Sequence, residues 1–209
     1  MSNTKPSKKL VPQQEEGSKS DTSHSVTMKT EDEARELFDM AKNRLLDIAN
    51  WDKLCGLVTG KFHLTDSQGN QINGLAKVND YLKIDVPGPG SETGHGFDWV
   101  RVEAIEEDNP DADSEEIVMK VRPASNPNNN DDNTAHFFKE EATSTFIIKR
   151  DKNIVSAEVH GRNELANVQQ ESPLDKIRNA LTALSAMLGF STSQWKQLVK
   201  GLVSLKKLR

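Results

Sequence analysis

Two stretches of the chain gather residues that could carry acid–base or binding chemistry. The first, DVPGPGSETGHGFDWVRVEAI, sets His95, Asp98 and Trp99 at the end of a glycine-rich loop, Gly88–Gly96. A histidine near a carboxylate can pass a proton, and an aromatic beside polar groups suits ligand contact. The second, EVHGRNE, places His160, Arg162, Asn163 and Glu164 at the end of a strand-patterned segment. The candidate catalytic residues are therefore His95, Asp98, His160 and Glu164. The candidate ligand-binding residues are Trp99, His160, Arg162 and Asn163. A plainer reading stands against both groups: a long connection between strands, and a strand end leaving its sheet through Gly161 with polar side chains in water.

Motifs of higher specificity are missing. Gly88, Gly90, Gly94 and Gly96 lead into a strand and carry no following lysine, so the loop lacks what a phosphate cradle needs. His63, His95, His136 and His160 are scattered, with no HxH or HExxH pair. The acidic run with Asp108, Asp111, Asp113 and Glu116 lacks the glycine and ligand spacing of a calcium loop. No Gly-x-Ser-x-Gly elbow occurs, and the single cysteine, Cys55, sits beside Trp51 and Leu54 as a small hydrophobe would. The expectation is no metal and no cofactor.

The bulk numbers narrow the class. The 209 residues carry a net charge of −5, which argues against nonspecific nucleic-acid binding as the main activity. The average hides an asymmetry. From Pro173 onward Lys176, Arg178, Lys196, Lys200, Lys206, Lys207 and Arg209 oppose only Asp175, so this end is net +6 and the remainder −11. With Trp195 and its leucines it could meet an anionic membrane or nucleic acid, although amphipathic helices packed on a sheet show the same pattern. No apolar run approaches the ~20 residues of a membrane span, and the first residues lack the apolar core of a signal peptide, so a cytoplasmic protein is expected.

Those residues must be positioned by a scaffold, and the periodicity predicts one. Residues 1–28 show no apolar period and read as a disordered tail containing a solvated His24. Residues 29–209 read as a single domain. Thr30 and Glu33 have capping-box spacing, and Ala34, Leu37, Phe38, Ala41, Leu45 and Ile48 mark one helix face. About six strand-patterned segments follow: LVTGKFHLT, YLKIDV, FDWVRVEAI, EIVMKVR, and STFIIKRDKNIVSAEVHGR as two strands turning at Asp151–Asn153, with a weak candidate around Gln71 to Val78. Segments near 106–116 and 123–136 read as mobile loops. Ser172–Pro173 and Ser191–Gln194 start two arms of a C-terminal helical hairpin, with Gly189 between them. Grouped strands between helices predict an α+β fold with an antiparallel sheet or a partly closed barrel. The pattern resembles the helix-grip architecture, a curved antiparallel sheet wrapped on a helix around a hydrophobic pocket, except that here a helix precedes the strands and two shorter helices follow.

The functional expectation is a binding or interaction protein for a small molecule or protein partner, with its face near the glycine loop and the strand end at His160–Glu164. The alternatives are an enzyme with a histidine–carboxylate site, and a module that uses the basic helices on membrane or nucleic acid.

Overall fold

The computed structural model describes residues 5–55, 60–85, 93–129, 132–167 and 192–206. Its centre is one open, fully antiparallel sheet of seven strands in the order β1-β7-β6-β5-β4-β3-β2. The strands are β1 (Ser18–Thr27), β2 (Lys61–Thr65), β3 (Tyr81–Asp85), β4 (Asp98–Asp111), β5 (Ser114–Pro123), β6 (Thr143–Asp151) and β7 (Ile154–Glu164). Helices α1 (Pro6–Leu10), α2 (Glu31–Leu46) and α3 (Trp51–Cys55) accompany it, with a final helix, α4, over residues 192–202. The fold is α+β. Edges β1 and β2 stay apart, so the sheet does not close into a barrel.

Helix α2 begins where the side chains allow. Thr30 accepts a hydrogen bond from the Glu33 N–H at 3.2 Å, and the Glu33 carboxylate accepts one from the Lys29 N–H at 3.1 Å. Its stripe of Ala34, Leu37, Phe38, Ala41 and Leu45 is buried against the inner face of β6 and β7. Arg44 is buried too. Its guanidinium donates to the carbonyls of Gly201, Leu202, Ser204 and Lys206, capping the C-terminal end of α4 from a distant helix. Gly201 is required there, since a Cβ would meet the Leu54 carbonyl oxygen at 2.6 Å.

Several sequence expectations are corrected. Residues 18–27, assigned to a disordered tail, are β1, paired along β7 from Ser18↔Glu164 to Thr27↔Ile154. The strand alternates in exposure, but its inward positions are Ser18, Ser20, Thr22, His24 and Val26, so no apolar period betrays it. With β1 first, α2 and α3 fall between strands one and two, while α1 precedes β1 and α4 follows β7. Residues 5–17 cross the outer face. The Ser7 N–H donates to Glu116 on β5, while Gln14 and Glu15 bond Asn163 on β7, so the segment passes over β6.

The acidic stretch 106–116 is the β4–β5 hairpin, not a loop. Its charge is met by cations remote in sequence: Lys9 pairs with Glu106, Lys42 with Glu107, and buried Arg150 with Glu115. A register shift between Asp108 and Asp111 accommodates Pro110, and Asp111 accepts from the N–H groups of Asp113 and Ser114 to close the turn. Pro123 ends β5, and the described residues of 124–136 form no strand but are tied to β4: the Trp99 N–H donates to Ala135 O and the Ala124 N–H to Trp99 O. The weak strand near Gln71 reduces to one bridge, Thr65↔Gln71. The first arm of the expected C-terminal hairpin lies outside the described residues.

Candidate functional site

The inner face of the sheet, α3 and the start of α4 line a partly open apolar cavity of about 60 Å³. Roughly 10–15 Å³ admits one water, so this space holds several groups of that size. Trp51, Phe62, Phe146 and Trp195 build its walls as a mutually packed set. Trp51 lies 5.3 Å from Phe62, 5.0 Å from Phe146 and 6.5 Å from Trp195 between ring centroids. Tilted and edge-on contacts of this kind are favourable and hold the rings in place. Trp51 is further fixed because its indole N–H donates to the carbonyls of Arg44 and Leu45, both at 3.1 Å. The rings come from α3, β2, β6 and α4, elements far apart in the chain.

Polar groups enter this wall at a few points. His136 is buried and stacked on Phe137 at 4.3 Å, and its Nδ1 accepts the Phe138 N–H at 2.9 Å. Burial pulls its pKa down to about 3, so the ring is neutral, and with Nδ1 accepting, the proton resides on Nε2. Glu164 also lines the cavity. Asn163 adopts a left-handed backbone with φ 56°, and Glu164 beyond it folds back over Gly161, where a Cβ would meet its Oε1 at 2.2 Å. The hydroxyls of Ser18 and Ser20 donate to its carboxyl oxygens. Burial nevertheless raises the Glu164 pKa above the usual carboxylate range. Gln194 and Ser144 complete the polar lining.

The strand end singled out from the sequence is therefore split. His160 and Arg162 project from the outer face of β7, opposite Glu164. His160 places Nδ1 2.5 Å from Asp21 Oδ1 and Nε2 2.9 Å from Glu158 Oε2; Arg162 reaches the same Asp21 oxygen at 2.7 Å. Bonds to Glu158 and Asp21 raise the His160 pKa above its ordinary value, although burial opposes them. The carboxylates that meet His160 are thus Asp21 and Glu158, not Glu164. With both ring nitrogens engaged, the imidazolium serves as a cross-strand tie rather than an available base. Asn163 joins the N-terminal segment, its N–H donating to Gln14 and its Oδ1 accepting from the Glu15 N–H at 2.8 Å.

The other sequence group also separates. His95 is exposed in a turn with φ 55°, with no bond to Asp98. Asp98 is buried at the start of β4. Burial raises its pKa to about 7, an effect only partly offset by the hydrogen bond it accepts from the Phe137 N–H. Trp99 is buried on the other side of β4, with its indole N–H 3.5 Å from Gly94 O and the Lys83 ammonium 5.9 Å from its ring. None of His95, Asp98, Trp99, His160 or Arg162 lines the apolar cavity. Gly88 and Gly90 lie outside the described residues.

Cys55 is buried, and burial pushes its thiol up to about 12, away from nucleophilic use. Among the described residues no cluster of His, Cys, Asp and Glu has the geometry of a metal site, and no helix is long and apolar enough to cross a membrane. Of the basic C-terminal set, Lys196, Lys200 and Lys206 are exposed; Lys176, Arg178, Lys207 and Arg209 lie outside the described residues. Sequence reasoning missed the cavity residues Trp51, Phe62, Phe146, His136 and Gln194 as a site. The signal available was the placing of aromatics on inward positions, which a packed core shares.

No protein-family model matches the chain. No curated protein sequence matches it either. Among solved structures it is similar to an uncharacterised protein from Bacillus thuringiensis, at 12% identity and a TM-score of 0.34, over 84% of this chain and 98% of that one. It is similar to a conserved protein from Geobacillus kaustophilus at 10% identity and a TM-score of 0.35, over 88% and 94%. A third is the major latex-like protein 151 of Panax ginseng, at 12% identity and a TM-score of 0.31, over 82% and 96%. At such scores these likenesses carry no functional weight.

Proposed function

We propose that the protein binds a small, predominantly apolar molecule, inserting a ring or short branched chain between the inner face of the sheet and α4. The observation that carries this reading is the cavity itself. It is walled by Trp51, Phe62, Phe146 and Trp195, and its few polar groups come from His136, Glu164, Gln194 and Ser144. Mostly apolar walls with a few placed polar groups are the usual make-up of a ligand site. Of the ligand or partner face expected near the Gly88–Gly96 loop and the strand end His160–Glu164, this reading keeps Glu164 and leaves His160 and Arg162 on the opposite side of β7.

Titration with N-phenyl-1-naphthylamine, a neutral dye that brightens in apolar surroundings, tests the reading. Saturable enhancement is expected, and Ser144→Phe should abolish it by filling the cavity from β6 without removing any wall. If the dye fails to bind, or binds Ser144→Phe equally well, the cavity is not a binding site.

A further inference from the structure

The wall of the cavity is asymmetric in hydrogen-bonding capacity, and that asymmetry selects a ligand. His136 is neutral, with Nδ1 occupied by the Phe138 N–H at 2.9 Å, so its remaining polar atom is a donor, Nε2–H. Among the described residues nothing accepts from that N–H. His136 lines the cavity, so this N–H is open to an acceptor carried by a ligand, a hydrogen bond worth about 0.5–1.5 kcal/mol net. The ring cannot turn away to solvent easily, being stacked on Phe137 and held by Phe138.

The other cavity groups narrow the acceptor's charge. No lysine or arginine lines the cavity among the described residues, and Glu164 is on the same wall. An anionic head would be desolvated with no cation to receive it and with a carboxyl group nearby. The Glu164 oxygens already accept from Ser18 and Ser20, so a ligand hydroxyl or amine finds that acceptor partly engaged. Building on the proposed apolar site, we infer that its ligand is an uncharged molecule with an aromatic or branched aliphatic body and a carbonyl or ether oxygen, oriented by the His136 Nε2–H.

Acetophenone and cumene share shape and heavy-atom count, and only acetophenone carries an acceptor. Their affinities, measured by 1H–15N NMR titration of the full chain, separate the inference from the reading beneath it. Acetophenone should bind about five- to tenfold more tightly, the return for one extra hydrogen bond, and should shift the His136 Nε2 signal. His136→Asn retains an acceptor for the Phe138 N–H and removes the Nε2 donor. It should bring the ratio to about one while cumene still binds. Equal affinities in the unmodified protein, or a preference that survives His136→Asn, overturn the role of His136 but leave the apolar site standing. Failure of both compounds to perturb cavity resonances removes the site and this inference together.

Discussion

The two faces of the sheet use the same side chains to opposite effect. On the inner side Asp98 and Glu164 have raised pKa values and His136 a lowered one, so each group moves toward its uncharged form. On the outer side Asp21, Glu103 and Glu158 have lowered pKa values and His160 a raised one, so each moves toward its charged form. Burial acts on both sets. The difference lies in partners: Asp21 meets His160 and Arg162, Glu103 meets Lys120 and Arg122, and Glu158 meets Lys149 and His160. Inside, among the described residues, Asp98 has one backbone N–H and no cation. Desolvation wins where no opposite charge arrives, and pairing wins where it does. The contrast separates a face suited to neutral ligands from a face built as an ionic lattice between strands.

The largest effect that would test this contrast is expected inside. A carboxyl group with a folded pKa near 7 and an ordinary value of 3.8 favours folding only while protonated. Its penalty is absent below pH 3.8, grows as pH rises, and levels off above about 7. Asp98→Asn keeps an oxygen for the Phe137 N–H and cannot ionise. Urea denaturation should show the variant more stable by up to ~4 kcal/mol at pH 8, on the scale of 1.36 kcal/mol per pKa unit, with the gain nearly gone at pH 4. A variant destabilised at both pH values would mean that the carboxylate has a cationic partner and that the inner face is not neutral.

The outer lattice should respond with the opposite slope and a smaller amplitude. His160 has a folded pKa above its ordinary 6.5, so its contribution is complete below pH 6.5 and is lost as pH rises through the folded value. Asp21 and Glu158 have lowered values, so their contribution is present above the ordinary carboxylate range and is lost as pH falls through their folded values. The lattice is strongest between those limits. His160→Gln is expected to cost about 1–2 kcal/mol at pH 5.5 and less at pH 9, as befits hydrogen bonds to charged groups. It should leave cavity binding unchanged. A pH-independent loss would assign His160 a packing role in place of an ionic one.

What the sequence made legible follows from where each signal resides. Helix α2 announced itself because its cap and stripe are local: Thr30, Glu33 and the run from Ala34 to Leu45 lie within one segment. Strands β5 to β7 did so because Ile117, Met119, Phe146, Ile148, Val155 and Ala157 keep a two-residue apolar period on the buried face. Strand β1 was illegible because its inward positions are mostly Ser, Thr and His, and its stability comes from the β7 ladder. The β4–β5 hairpin was masked by carboxylates whose cations, Lys9, Lys42 and Arg150, are distant in the chain. For the candidate site, composition flagged His160 to Glu164 as a unit. The left-handed Asn163 lies between members of that unit, which end on opposite faces. The aromatic cavity is a property of tertiary packing, and His136 carried no local mark at all.

Lys149→Met is the smallest perturbation and the one most specific to the outer lattice. Lys149 on β6 meets Glu158 on β7 at 3.1 Å, and Glu158 is also 2.9 Å from His160. Half-exposed pairs of this type are worth ~0.5 kcal/mol, so the stability change should be close to the limit of measurement. The informative readout is the His160 titration by NMR. Removing the ammonium frees Glu158 to serve His160 alone and removes a nearby like charge, and both changes favour the imidazolium. The His160 pKa should therefore rise further while the fold is barely affected. An unchanged pKa would show that the two pairs act independently, and the outer face would then be a set of separate ties instead of a shared lattice.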